Sequence, residues 1–161
     1  MVSTEEQLRK IRLLSDVELY DQAVKFMRGF EQQKRRTIPP TQLNGMVNIT
    51  KAGSYRDVLA FVKHQQERAW PERSAFMKPF YLGLAGELRK IEQLAAKTFR
   101  SLSSEQGGKE GFQELLLLIV REFIQHLAAE NGYLEGDKKR RDREERERNT
   151  TRDRRNYERT N

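Results

Sequence analysis

Residues 112–131, FQELLLLIVREFIQHLAAEN, carry apolar side chains around most of a helix circumference. At about 3.6 residues per turn, only Glu114, Arg121 and Gln125 mark a narrow polar strip. A helix that is apolar on nearly every side has to be surrounded by other helices. The pattern therefore predicts the central helix of a bundle, ending at Asn131 and Gly132, a pair typical of a helix C terminus.

The chain before this segment also has helical patterns. Apolar residues recur at spacings of three and four, and no segment alternates as a β-strand does. Capping signals indicate helix starts near Thr4, at Ser15 and at Ser54, the last with Asp57 three residues on. One apolar stripe is predicted after Ser15, formed by Val17, Tyr20, Val24 and Met27. The segment predicted to be longest covers about residues 74–102. The fold class is all-α, a compact bundle of about five helices in residues 1–136.

The last 25 residues, 137–161, read DKKRRDREERERNTTRDRRNYERTN and form a charged tail. It holds 11 basic and 7 acidic residues, and Tyr157 is its only large apolar side chain. Such a segment cannot build a core of its own. It is expected to be disordered or loosely helical after Gly136, either as a solvated extension or as an arm that orders on nucleic acid.

Few residues suited to catalysis occur in the chain. There is no cysteine, and the two histidines, His64 and His126, lie outside zinc-protease and di-iron spacings. Neither a dinucleotide nor a phosphate-loop glycine motif is present. We expect no enzyme activity, metal or cofactor, with His126 packed or hydrogen-bonded in the core and His64 on the surface.

Charge and hydropathy indicate the partner class. The formal net charge of the 161-residue chain is +7, which favours a polyanionic partner. Neither a secretory signal nor an apolar run of about 20 residues occurs, so a soluble, cytoplasmic protein without membrane contact is expected.

The longest predicted segment carries a basic strip opposite its apolar stripe. On a helical wheel with Arg89 at zero, the strip spans about 100°, and the apolar stripe is centred at about 220°. Glu87 and Glu92 are expected to project elsewhere, leaving the strip free of acids. An ordinary solvated face is the competing interpretation, but a rigid row of cations about 16 Å long can follow several phosphates. The strip consists of Arg89, Lys90, Gln93, Lys97 and Arg100.

A second basic set lies on and around the helix that starts at Ser54. Asp57 and Glu67 are close enough in sequence to pair with it instead. The aromatic residues fall on or beside core stripes, so tracking of a nucleic-acid backbone is favoured over sequence-specific base reading. A third cluster is Lys34-Arg35-Arg36. The second set consists of Lys51, Arg56, Lys63 and Arg68.

A helix-turn-helix DNA-binding regulator is an alternative. Residues 41–50, a turn at Gly53 and residues 55–68 have suitable lengths. The second helix of this unit lacks exposed base-reading residues at its start.

Two stretches carry a resemblance to a known family. One is Thr37-Ile38-Pro39-Pro40-Thr41-Gln42-Leu43, and the other runs from Phe123-Ile124-Gln125-His126-Leu127 to Tyr133. Over about residues 16–134 the chain resembles the small helical subunit of type III CRISPR effector complexes, whose members often carry a Thr-x-Thr-Gln-Ile/Leu-Arg element. Where that element places an Arg, this chain has Asn44.

The resemblance implies a non-catalytic subunit of an antiviral ribonucleoprotein. Several copies would stack along the guide-bearing filament, contact other subunits, and support the backbone of guide and target RNA without cutting it. Phe61 and Phe99, which leave the main apolar stripes, would then be exposed contacts between subunits or, alternatively, edges of the core. A purely structural, protein-binding subunit is the alternative within this class.

Overall fold

A computed structural model describes residues 4–100 and 108–160, with side chains for 5–100 and 108–158. These residues form an all-α bundle and contain no strand, which confirms the predicted fold class. A π-helical segment, Ser15–Leu19, joins the first two helices, and a short 3₁₀ turn, Glu72–Ser74, precedes the fifth. The helices are α1 Thr4–Leu14, α2 Tyr20–Lys34, α3 Pro40–Ala52, α4 Tyr55–Glu67, α5 Met77–Thr98 and α6 Gly108–Thr160.

Helix α6 is the central helix of the bundle, as predicted. Its residues Ile119, Val120, Phe123, Ile124 and Leu127 are completely buried, and it packs against all five other helices. Apolar surface on every side explains this position, since each side needs a neighbour to remove it from water.

The predicted end of this helix at Asn131 and Gly132 is wrong, because α6 continues to Thr160. The Asn131 side chain does not cap the helix but reaches the backbone of Ile38. Ion pairs at i,i+4 spacing support the continuing turns, among them Glu135 with Lys139 at 3.0 Å. Helix α6, with 53 residues, is therefore longer than α5, which sequence reasoning had expected to be the longest.

The charged tail is the outer part of α6. Every side chain from Lys138 to Glu158 is exposed. The helical form is one of the two that the sequence allowed for this segment. The division of the chain at residue 136 stays a prediction.

The π-helical segment changes which residues face the core. The second helix start predicted at Ser15 is wrong, since the helical path is continuous and Ser15 is buried. One wide turn shifts the register of the residues around it. As a result Val17 and Tyr20 are exposed, against the predicted stripe, and Leu19 is buried instead, whereas Met27 is buried as predicted.

The link between α2 and α3 is held against α6. Arg35 ends α2 in the left-handed conformation, with φ of 55°, and Pro40 opens α3 at a position that needs no backbone N–H donor. Between them Ile38 is 1% exposed. This link fixes the orientation of α3 on the central helix.

Helices α4 and α5 form the side of the bundle that carries the predicted basic residues. The predicted capping box is confirmed: Ser54 accepts from the Asp57 backbone, and Asp57 accepts from the Ser54 backbone. Gly83 allows close approach of α5 to α2, since a Cβ there would lie 2.8 Å from the Phe26 ring. The two helices therefore present a fixed surface.

The two phenylalanines for which the sequence allowed either subunit contacts or the edge of the core belong to the core. Phe99 is buried, as the second interpretation predicts. Its φ of −115° and ψ of 39° end the helix, and a helical wheel no longer describes where its side chain points. Phe61 is half-buried and packs edge-on against Tyr81, with ring centroids 6.0 Å apart. Packing at the edge of the core accounts for both.

Candidate nucleic-acid interface

All nine residues predicted to bind RNA are exposed. Four strip residues lie on α5, on the face away from Leu84, Leu88 and Ile91, which are buried in the core. The prediction of one helix to about residue 102 is wrong, because α5 ends at Thr98 and Arg100 lies beyond the break at Phe99. The second set is spread over the end of α3, the outer face of α4 and the residue after it. The nine are Lys51, Arg56, Lys63, Arg68, Arg89, Lys90, Gln93, Lys97 and Arg100.

The prediction that the α5 strip is free of acids is wrong at one end. The Lys90 ammonium lies 2.9 Å from a carboxylate oxygen of Glu87. These two positions are about 60° apart on a helical wheel, and a flexible lysine spans that distance. Glu87 also accepts a hydrogen bond from Gln22 of α2 at 2.7 Å. Lys90 is therefore partly neutralised, and the strip is most positive around Arg89 and Lys97.

Glu92, the other acid near the strip, turns towards α4. It accepts a hydrogen bond from the hydroxyl of Tyr55, which is buried. Burial, together with this carboxylate, raises the pKa of Tyr55, so the phenol keeps its proton and remains a donor. The bond ties the start of α4 to α5.

Two members of the second set have partners of their own. Lys63 lies 4.0 Å from Glu67, as the sequence allowed, and the Arg68 guanidinium lies over the Trp70 ring, 4.4 Å from its centroid. Arg68 thereby holds the loop after α4. Both are less suited to bind phosphate than Arg56.

Arg56 lies at the groove between α4 and α5, next to Asp57 in the sequence. The neighbouring Asp57 carboxylate is engaged by Ser54, and its pKa is lowered by hydrogen bonds from the Ser54 backbone and hydroxyl, with a smaller effect of Arg56. The capping contacts thus direct the Asp57 oxygens towards the helix end.

An open groove of about 530 Å³ joins the two predicted sets. It lies between α4, α5 and α6, and it brings Arg56 of α4 close to Gln93 of the strip. We call it the α4–α6 groove. Its lining residues are Tyr55, Arg56, Leu59, Glu92, Gln93, Ala96, Phe112, Gln113 and Leu116.

Sequence reasoning missed the α6 side of this groove. Phe112 was assigned to the core, yet it is only half-buried, and Gln113 is exposed beside it. A signal was present in the sequence: Phe112 lies in the first turns of its helix, where packing neighbours are fewer. A phenylalanine there can line a surface groove.

The two remaining sequence signals have structural roles. In the Lys34-Arg35-Arg36 cluster, Arg36 lies over the Phe76 ring, 5.2 Å from its centroid. In the family-like element, Gln42 accepts a hydrogen bond from the buried Tyr81 hydroxyl at 3.0 Å, and Asn44 is exposed. Gln42 is therefore a packing residue of α3.

His126 is hydrogen-bonded and half-buried, as predicted, and His64 is exposed. The Ser15 hydroxyl donates to Glu122 and contacts His126 Nε2, both at 2.8 Å. In a catalytic triad the carboxylate binds the histidine rather than the serine. This arrangement instead connects the π-helical segment to α6.

The described residues offer neither a metal site nor a membrane span. Within residues 4–100 and 108–160, no set of three or more His, Asp or Glu residues is placed to hold a metal ion. No helix in those ranges combines the length and apolar character needed to cross a bilayer. Comparisons with protein-family models, with curated proteins and with solved structures find no match to this chain.

Proposed function

We propose that this protein is a non-catalytic, RNA-backbone-binding subunit of a ribonucleoprotein, of the kind found in type III CRISPR effector complexes. The observation that carries the proposal is the exposed α5 face with Arg89 and Lys97 at its centre and Arg56 across the groove. Cations about two turns apart on a well-packed helix, with a third across the groove, can contact several phosphates of one strand without rearrangement.

The rigidity of this face supports the proposal. On its inner side α5 is fixed by the fully buried Phe80 and Leu84, and Glu87 and Glu92 tie it to α2 and α4. A fixed spacing of cations lowers the entropy lost when a flexible strand binds. Such a surface suits a scaffold that holds RNA in place.

Titration of a single-stranded RNA at several salt concentrations tests the proposal. The variant Arg56→Ala/Arg89→Ala/Lys97→Ala removes three exposed cations of this face. If each contacts one phosphate, the slope of log affinity against log salt falls by about 2, because each contact on a single strand contributes about 0.7. The loss should be similar for unrelated RNA sequences.

The matched control is Arg9→Ala/Arg12→Ala/Lys25→Ala, which removes the same charge from exposed positions of α1 and α2. It should leave most of the affinity intact. Equal losses in both variants would mean that only net charge matters, and binding that does not depend on salt would remove the electrostatic basis.

A structural, protein-binding subunit is the second candidate, and one surface favours it. Val17, Tyr20 and Tyr133 are 65%, 51% and 61% exposed. The Tyr20 ring packs edge-on against His126 of α6, the helix that also carries Tyr133, with ring centroids 5.5 Å apart. Purification from the native host in mild salt separates the candidates: RNA and partner subunits together support the first, and partner proteins without RNA support the second.

A further inference from the structure

The α4–α6 groove has the composition of a small-ligand site. Its volume, about 530 Å³, lies within the range of roughly 300–1,000 Å³ that such sites occupy. Ala96 and the exposed Leu59 form apolar surface, and the half-buried Phe112 offers an aromatic ring beside them. This part of the groove suits a flat, largely apolar group.

Polar groups surround that apolar surface. The amides of Gln93 and Gln113 line the groove, and neither has a hydrogen bond within the part of the chain that the structure describes. Glu92 lies next to them, held in place by the Tyr55 hydroxyl. Two amides and a carboxylate provide donors and acceptors around one cavity, as recognition of a base edge requires.

The charges at the mouth indicate an anionic ligand. Arg56 lines the groove itself. Gln93 belongs to both the groove and the strip, with Arg89 and Lys97 one helical turn, about 6 Å, on either side. A strand held on these cations would pass along the edge of the groove and place the base of one nucleotide at its entrance.

We propose that the α4–α6 groove binds one unpaired nucleobase of the RNA whose backbone lies on the α5 strip. The base would lie against Phe112 and exchange hydrogen bonds with Gln93 and Gln113, while Arg56 contacts a flanking phosphate. This inference rests on the proposed function and extends it, since backbone tracking alone needs no groove. It predicts a preference for single-stranded over fully paired RNA.

An abasic RNA provides the test. One probe is a single strand of about 12 nucleotides, and the other is the same strand with an abasic tract at its centre, which keeps the phosphates. At one salt concentration the complete strand should bind the full-length protein roughly tenfold more tightly, because stacking of a base on an aromatic ring contributes about that much. A 2-aminopurine in place of one central base should change fluorescence on binding.

Two sets of variants assign the effect to the groove. Phe112→Leu retains apolar volume but removes the ring, and Gln93→Ala/Gln113→Ala removes exposed amides without opening the core. Both should reduce the preference for the complete strand to about twofold or less. The matched controls are Phe76→Leu, a half-buried phenylalanine outside the groove, and Gln125→Ala, an exposed residue of α6. Both should keep the preference.

The outcomes separate this inference from the proposed function. Salt-dependent binding of both strands with equal affinity overturns the base site and leaves the backbone function standing. No binding of either strand overturns both. A preference for the complete strand that survives both Phe112→Leu and Gln93→Ala/Gln113→Ala also overturns the base site.

Discussion

The side-chain amide of Asn131 holds the backbone of Ile38 through two hydrogen bonds, each 2.8 Å long. The Ile38 N–H donates to Asn131 Oδ1, and Asn131 Nδ2 donates to the Ile38 carbonyl. Both residues are 1% exposed, so water cannot replace either bond. Asn131 thus pairs the backbone N–H and carbonyl of Ile38, which in a helix or a sheet would be paired with other backbone groups.

Replacing this amide should destabilise the protein strongly. We expect Asn131→Ala to lower the free energy of unfolding by about 2–4 kcal/mol, because it leaves a buried donor and a buried acceptor without partners. Urea unfolding followed by circular dichroism measures the change. Asn48→Ala, at an exposed position of α3, is the control and should stay within about 0.5 kcal/mol. Equal effects would show that the Ile38 link contributes nothing specific.

The bundle could be predicted from the sequence because its main signals are local and periodic. The apolar circumference of residues 112–131 and the capping box at Ser54 and Asp57 depend on neighbours along the chain. The end of α6 could not be predicted in the same way. Asn131 has the sequence signature of a helix end, but its amide is used by Ile38, 93 residues away.

The candidate interface could be predicted only as a set of exposed cations. A helical wheel gives the direction of each residue on α5, and the four strip residues up to Lys97 are indeed exposed. Arg100 is also exposed, but it lies beyond the end of α5, where the wheel no longer applies. It does not show the pairing of Lys90 with Glu87, which depends on side-chain conformation. Nor does it show the groove, since Arg56, Gln93 and Phe112 come from three helices whose packing the sequence pattern leaves open.

Glu87 limits the positive charge of the strip, so its removal should strengthen RNA binding. Glu87→Gln frees Lys90 while its amide oxygen can still accept from Gln22. We expect affinity for single-stranded RNA to rise a few-fold at low salt, with a steeper salt dependence. Glu18→Gln, an equal charge change at an exposed position of the π-helical segment, should have a smaller effect. Unchanged affinity in the Glu87 variant would argue against phosphate contact at this end of α5.

Asp57 should make the stability of α4 depend on pH in the acid range. Its pKa is lowered in the folded protein by hydrogen bonds from Ser54, so the stabilisation is complete above its ordinary value of 3.8 and is lost as pH falls through the lower folded value. Asp57→Asn should therefore unfold at lower urea than the unchanged protein at pH 7, with the difference shrinking towards pH 3. Asp142→Asn, in the exposed part of α6, is the control and should unfold at about the same urea concentration as the unchanged protein at pH 7. A difference that is constant with pH would exclude the carboxylate as its source.

Replacing Arg35 with glycine should stabilise the protein. Its φ of 55° places a side chain in the left-handed region, which costs an L-residue about 1–2 kcal/mol. Glycine avoids this cost but loses up to about 1 kcal/mol through greater freedom in the unfolded chain. Arg35→Gly should therefore raise the free energy of unfolding by about 0.5–1 kcal/mol. Lys34→Gly, one residue earlier and still within α2, should lower it, and the same sign for both would contradict this conformational explanation.

The exposed part of α6 should contribute little to stability. A chain that ends at Asp137 keeps every buried residue of the bundle, and we expect its unfolding free energy to change by no more than about 0.5 kcal/mol. Five cations of the extension pair with carboxylates on the same helix, which weakens the field they present to RNA. They are Lys139, Arg140, Arg141, Arg143 and Arg154.

Truncation therefore distinguishes the two interpretations of the charged tail. If the extension is a solvated helix, loss of residues 138–161 should weaken RNA binding less than Arg56→Ala/Arg89→Ala/Lys97→Ala does, although it removes more positive charge. If the extension binds phosphates, the slope of log affinity against log salt should fall by at least as much as in that variant, by about 2. Five of the 11 cations in residues 138–161 are paired, and six carboxylates in the same segment offset much of the remaining charge. We therefore expect the first result, and the salt titration of the shortened chain decides between the two.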